Sequence, residues 1–102
     1  MATTIITKDN FQSEVLDFPG TVLIDFWADW CGPCRMLSPV IDEVAAANPN
    51  VKVGKVNVDD EQELSAQFNI MSIPTLLVFK NGKKAGESIG LIPKEQVEKL
   101  IQ

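Results

Sequence analysis

The chain carries two cysteines, Cys31 and Cys34, and both fall in one Cys-Gly-Pro-Cys run. Four readings compete for that spacing. Two ordinary buried thiols is the plainest, but chance seldom places an only pair three residues apart. A structural staple would contribute roughly 2 kcal/mol for so short a loop, in a formula that is weakest for short stiff loops. A zinc site needs four ligands, and the chain has no histidine, so carboxylates or a second subunit would have to complete it. Thiol–disulfide exchange is the reading that fits best.

That chemistry needs two unequal thiols. Cys31 follows a β-branched run and opens a helical pattern, so its sulfur is expected at a helix amino terminus. Free N–H groups and the helix dipole favour a thiolate there. An effect of about 1–2 kcal/mol corresponds to roughly one unit of pKa. Starting from about 8.5, it yields a useful thiolate fraction at neutral pH. Cys34 lies one turn further on, where burial favours the protonated thiol. Cys31 is then the attacking sulfur and Cys34 the resolving one. Pro33 fixes φ in the first turn, where its missing N–H is not needed.

A carboxylate stands close by in sequence. Asp25 interrupts the apolar run Val22–Ala28, which leads directly into the Cys31 turn. A charged, unpaired carboxylate inside such a strand costs several kcal/mol, so its pKa is expected to rise. It could then take the proton of Cys34, directly or through a water. The competing reading is a structural ion pair at the strand end. Lys55, in the next apolar run, is the candidate partner, its alternative being an exposed strand lysine. Trp30 is expected exposed on the turn, where it can touch a substrate chain, and Trp27 in the core. Ile73-Pro74-Thr75 marks a proline at a strand entrance, where either peptide isomer is open.

The elements that must hold these residues can be read along the chain. Thr3–Thr7 suits a strand. A helix is expected from Asp9, with Gln12 at capping-box spacing and Phe11, Val15 and Leu16 on one face. Val22–Ala28 reads as a central strand buried on both faces. The helix after Cys31 carries Met36, Leu37, Val40, Ile41, Val44 and Ala45, with a kink expected at Pro39. Val51–Asp59 is a strand, 60–68 a short helix and Thr75–Lys80 a strand. Asn81-Gly82 signals a hairpin into Lys83–Ile89, an edge strand whose lysines blunt the edge. Pro93 opens a last helix with Val97, Leu100 and Ile101 on one face. The order βαβαβαββα predicts an α/β fold: one mixed five-stranded sheet with helices on both faces.

Composition narrows the function. At 102 residues, all of 1–102 forms one domain large enough for an ordinary core. Nine basic and fourteen acidic residues give a net charge of −5. That opposes nucleic-acid binding and anionic membrane surfaces, which both need a cationic field. No apolar run approaches the roughly 20 residues of a membrane span. The opening MATTIITKDN lacks a basic-then-apolar leader pattern, so a cytoplasmic location is expected.

Taken together, Asp25-Phe26-Trp27-Ala28, Trp30-Cys31-Gly32-Pro33-Cys34-Arg35-Met36, Pro39, Lys55–Asp59, Ile73-Pro74-Thr75, Phe79–Gly82 and Gly90 resemble the thioredoxin family. The likeness runs in order over nearly the whole chain. It implies the thioredoxin fold, a five-stranded mixed sheet flanked by four helices, and a general protein-disulfide reductant. Cys31 would attack a client disulfide, and Cys34 would release the client and leave a redox-active Cys31–Cys34 disulfide. A thioredoxin reductase fed by NADPH and flavin would restore the dithiol, with neither cofactor and no metal bound by this chain. Ile73–Pro74 would be cis. Trp30, Gly32, Pro33, Ile73, Pro74 and Gly90 would form the docking surface, and Asp25 and Lys55 the buried proton-handling pair. A monomer is implied. Leu91 and Met71-Ser72 depart from the common pattern and bear on client preference. Gly32-Pro33 matches the reducing branch, whereas the oxidising and isomerising branches usually carry a histidine there. The alternative is a redox-gated binding module whose reduced form scaffolds a partner.

Overall fold

The structure, a computed structural model, describes residues 3–102. Its strands are β1 (Thr3–Ile5), β2 (Thr21–Trp27), β3 (Lys52–Asn57), β4 (Thr75–Lys80) and β5 (Lys83–Ile89). Its helices are α1 (Gln12–Leu16, wound as a π-helix), α2 (Gly32–Ala47), α3 (Gln62–Gln67) and α4 (Lys94–Leu100). They form one sheet in the order β1-β3-β2-β4-β5. β3 runs parallel to both β1 and β2, and β4 runs antiparallel to both β2 and β5. This is the mixed sheet expected from the chain order.

Strand parity divides the core and decides where the chemistry goes. Successive strand residues face opposite sides of a sheet. Val22, Ile24 and Phe26 of β2 pack with Phe11, Val15, Leu64 and Phe79 on the side of α1 and α3. Leu23 packs with Leu37, Ile41, Val44 and Val97 on the side of α2 and α4. Asp25 shares the parity of Leu23, so it faces the helix that carries Cys34. Lys55 shares the parity of Val53, a member of the same cluster, and stands opposite Asp25 in the β2–β3 register. The sheet thus delivers both charged groups to the underside of α2. Burial of β2 from Val22 to Phe26 is complete enough that every residue but Asp25 is apolar.

Local chemistry shifts several boundaries. β1 ends at Ile5 rather than Thr7, although the Ile6 N–H still donates to Lys55 O at 2.9 Å. The chain turns directly afterwards. The Asp9–Gln12 capping box is not formed. Instead the Asn10 N–H donates to Thr7 Oγ1 at 3.2 Å and the Thr7 N–H to Asn10 Oδ1 at 2.7 Å. The Gln12 amide donates to Asp17 Oδ1. β3 stops at Asn57 rather than Asp59, because Asn57 O accepts from Asp60 and Glu61 and its Oδ1 accepts from Asp59. α2 runs through Pro39 to Ala47.

The hairpin at Asn81-Gly82 forms as expected, with φ of +52° and +82°. A Cβ on Gly82 would lie 2.5 Å from Leu16 O. Gly82→Ala is therefore expected to cost about 1–3 kcal/mol through strain and that clash. A urea titration checks this; a midpoint equal to that of the parent chain would contradict it.

Candidate active site

Cys31 is the N-cap of α2, in extended conformation at φ −89° and ψ 110°. Its Sγ accepts the Cys34 N–H at 3.2 Å, which places a helix-terminal donor on the sulfur. The two cysteines are joined in a disulfide with Cα atoms 5.2 Å apart. The expected contrast in burial is small, since Cys31 is 5% exposed and Cys34 is 2% exposed. What differs is the surroundings. Cys31 Sγ lies 3.8 Å from Ile73 O, next to exposed surface at Trp30. Cys34 instead lines a partly open cavity of about 100 Å³ with Asp25, Trp27, Arg35, Ser38 and Lys55.

The segment beside Cys31 is fixed from several directions. Ile73–Pro74 is cis. Pro74 is buried, and its carbonyl accepts the Gly90 N–H at 2.8 Å. Gly90 has φ +96°, a conformation that favours glycine, and nothing lies within 4 Å of where a Cβ would sit. The Thr75 hydroxyl donates to Ser72 O at 2.6 Å. Trp30 is 68% exposed, as expected, and its indole N–H donates to Asp59 Oδ2 at 2.9 Å. Asp59 thereby orients the ring, a role that the sequence reading did not assign. A shallow groove runs past this ring, lined by Trp30, Val58, Ile70, Met71, Ser72 and Ile73. Met71 is almost wholly exposed there. Gly32 and Pro33 lie in the first turn of α2.

Trp27 is half-buried and forms part of the Cys34 cavity wall, so it is not the plain core residue expected. Its position at the end of β2 turns one side of the ring towards the cavity.

Asp25 is 1% exposed, and its Oδ1 has no hydrogen-bond partner among the described residues. Burial pushes its carboxyl up to about 6, the positive charge of Lys55 opposes that rise, and the negative charge of Asp42 adds to it. Lys55, the candidate partner, makes no ion pair with Asp25 among the described residues. The Lys55 ammonium donates to Ser38 Oγ at 2.8 Å and stands 3.6 Å from Asp42 Oδ1. Both of those residues belong to α2, and sequence reasoning passed over them. Their signal was their spacing, since Cys34, Ser38 and Asp42 recur every fourth residue on one helix face.

Among the described residues, no group of three or more His, Cys, Asp or Glu side chains could hold a metal ion. No described helix is long and apolar enough to cross a membrane. The chemistry available is that of two sulfurs in one small ring, one beside Ile73 O and the other in the cavity that Asp25 also lines.

Comparison with known proteins agrees with this geometry. The thioredoxin family model matches residues 2–102. The chain is similar to thioredoxin from Alicyclobacillus acidocaldarius, with 52% identity over 99 residues, covering 95% of this chain and 92% of the relative. It is similar to thioredoxin 1 from Nostoc sp., with 45% identity over 98 residues and the same coverage of 95% and 92%. Thioredoxin from Haemophilus influenzae is 46% identical over 97 residues, covering 94% of this chain and 91% of the relative. With its disulfide between Cys31 and Cys34, the chain belongs to the thioredoxin family and is a thiol–disulfide oxidoreductase with protein-disulfide reductase activity.

Proposed function

We propose that Cys31 is the nucleophile and Cys34 the resolving thiol of a general reductant of protein disulfides. One observation carries this division of labour: Cys31 Sγ sits at the helix N-cap beside Ile73 O, whereas Cys34 lines the Asp25 cavity. In the dithiol form, the Cys31 thiolate attacks one sulfur of a client disulfide. A Cys31–client bond forms, and the client's other sulfur leaves as a thiolate. Asp25, ionised, then takes the proton of Cys34. The Cys34 thiolate attacks Cys31 Sγ, the mixed disulfide breaks, and the client's second sulfur leaves. Two electrons have passed to the client, and Cys31–Cys34 is oxidised.

The docking surface in this reading consists of Trp30, Gly32, Pro33, Ile73, Pro74 and Gly90. The backbone around Ile73 is available to pair with an extended client segment. Lys55 acts on Asp25 through its charge, without a direct bond. The two sulfurs hold all the electrons of the reaction, so no bound cofactor is needed. A thioredoxin reductase would regenerate the dithiol at its own NADPH- and flavin-dependent site. A cytoplasmic site of action and a monomeric state go with the reading, because a reductant must work where its dithiol is replenished and must leave its docking face open.

Steady-state reduction of insulin disulfides, with a bacterial thioredoxin reductase and NADPH, tests the reading. Trp30→Ala should lower kcat/KM for insulin about tenfold, equivalent to roughly 1.4 kcal/mol of lost docking. It should leave reduction of a small aromatic disulfide nearly unchanged, because that substrate is too small to use the groove. Equal losses with both substrates would remove Trp30 from the docking surface.

A further inference from the structure

The floor beneath Cys34 contains an arrangement that the exchange reaction itself does not call for. Three side chains of α2, four residues apart, face Asp25 and Lys55: Cys34, Ser38 and Asp42. Lys55 stands opposite Asp25 in the sheet register, yet its ammonium goes to Ser38 Oγ at 2.8 Å and to Asp42 Oδ1 at 3.6 Å. Asp25 Oδ1, meanwhile, is left with no hydrogen-bond partner among the described residues. A buried acceptor without a partner beside a flexible cation is an unfavourable arrangement, unless something else holds the cation. Ser38 is placed to do so. It lines the same cavity as Asp25 and Cys34, one helical turn beyond the sulfur.

We propose that Ser38 is a positioning residue, which with Asp42 holds the Lys55 ammonium on the helix side of the cavity and away from Asp25. The proposal rests on the reading of Asp25 as proton acceptor for its consequence in turnover, though not for its geometry. If the ammonium closed on Asp25, the carboxylate would be stabilised and become a weaker base for Cys34. Held at Ser38, Lys55 acts only through space. Asp25 then keeps a pKa nearer neutrality, where a base is most effective. Every charged or titratable group facing Asp25 enters this balance. Lys55 comes from β3, and Cys34, Arg35 and Asp42 come from α2. Arg35 lines the cavity, and its guanidinium is engaged at its mouth, donating to Asp29 O at 3.2 Å.

The test is the titration of the Asp25 side-chain carboxyl, followed by carbon NMR in the oxidised protein between pH 3 and 9. Ser38→Ala frees the ammonium, and the midpoint should fall by about one unit, at the low end of what a nearby opposite charge does. Ser38→Thr retains the hydroxyl and should restore the parent midpoint. In a Lys55→Gln background, Ser38→Ala should have no effect. An unchanged midpoint in Ser38→Ala would overturn the proposal. So would a shift that persists without Lys55, since that would trace the change to altered hydration of the cavity. The acidic limb of single-turnover insulin reduction should move down in pH together with the titration midpoint. If Asp25→Asn leaves that limb in place, the proton-acceptor reading fails, while the carboxyl titration still decides the role of Ser38.

Discussion

Cys34→Ser is expected to stop turnover at the mixed disulfide and to accumulate a covalent Cys31–client adduct. The variant retains the N-cap sulfur, the Trp30 groove and the cis Ile73–Pro74 segment, so the first attack is intact. A serine oxygen cannot close a disulfide with Cys31, so the client has no route of release except an external thiol. Multiple-turnover reduction of insulin should fall by roughly a thousandfold or more, the scale seen when one member of a covalent catalytic unit is removed. Cys31→Ser should lose turnover as completely but form no adduct. Mass spectrometry of the two variants after exposure to insulin separates these outcomes. An adduct on Cys34 in the Cys31→Ser variant, formed as fast as one on Cys31 in the other, would reverse the assignment of roles. A scaffold that binds a partner in its reduced form would behave differently again: both variants would hold the partner without any disulfide to it.

Asp25→Asn should stabilise the fold at neutral pH while blunting its chemistry. The Asp25 carboxyl is raised from 3.8 to about 6, with burial as the leading cause. The folded chain therefore holds that proton more tightly than the unfolded chain does. The associated stability is complete below about pH 4 and is lost as pH rises through about 6. A shift of about two units, at roughly 1.36 kcal/mol each, amounts to about 3 kcal/mol lost by pH 7. An asparagine of the same shape carries no charge to bury. Urea unfolding should show the variant about 3 kcal/mol more stable at pH 7 and nearly equal to the parent at pH 4. In single-turnover exchange, the limb centred near pH 6 should vanish from its profile. A variant no more stable at pH 7 would mean that the carboxylate is solvated or paired in the folded state. A more stable Asp25→Asn variant would mean that the fold retains a buried acid at a cost to stability, the pattern expected of a group held for chemistry.

Much of this was legible in the chain because the signals were local. The run from Val22 to Ala28 marked the central strand, and Asp25 within it marked a buried carboxyl. The Cys31-Gly32-Pro33-Cys34 run marked the helix start. Asn81-Gly82 marked the hairpin. Each depends on neighbours within a few residues, where sterics and periodicity dominate. The parts that were not legible depend on who meets whom across the sheet. Lys55 could be paired with Asp25 by reasoning about adjacent strands, and the register does place them opposite each other. Which acceptor the ammonium then chooses is decided by α2, packed across them, and only the assembled structure brings Ser38 and Asp42 within reach. The Trp30–Asp59 hydrogen bond spans 29 positions and leaves no local trace. The misplaced first cap has a simpler cause. Thr7–Asn10 and Asp9–Gln12 offer similar three-residue spacings, and the pinning of Ile6 to β3 selects the earlier one.

As a reductant of protein disulfides, the chain must hold Cys31 and Cys34 as a strongly reducing couple. The most direct measurement is the equilibrium between their dithiol and disulfide states across a graded series of reduced and oxidised glutathione, read from Trp30 and Trp27 fluorescence. The potential is expected well below that of the glutathione couple, so that the Cys31–Cys34 disulfide persists until reduced glutathione is in large excess. A potential above that couple would make the protein a disulfide donor and not a reductant.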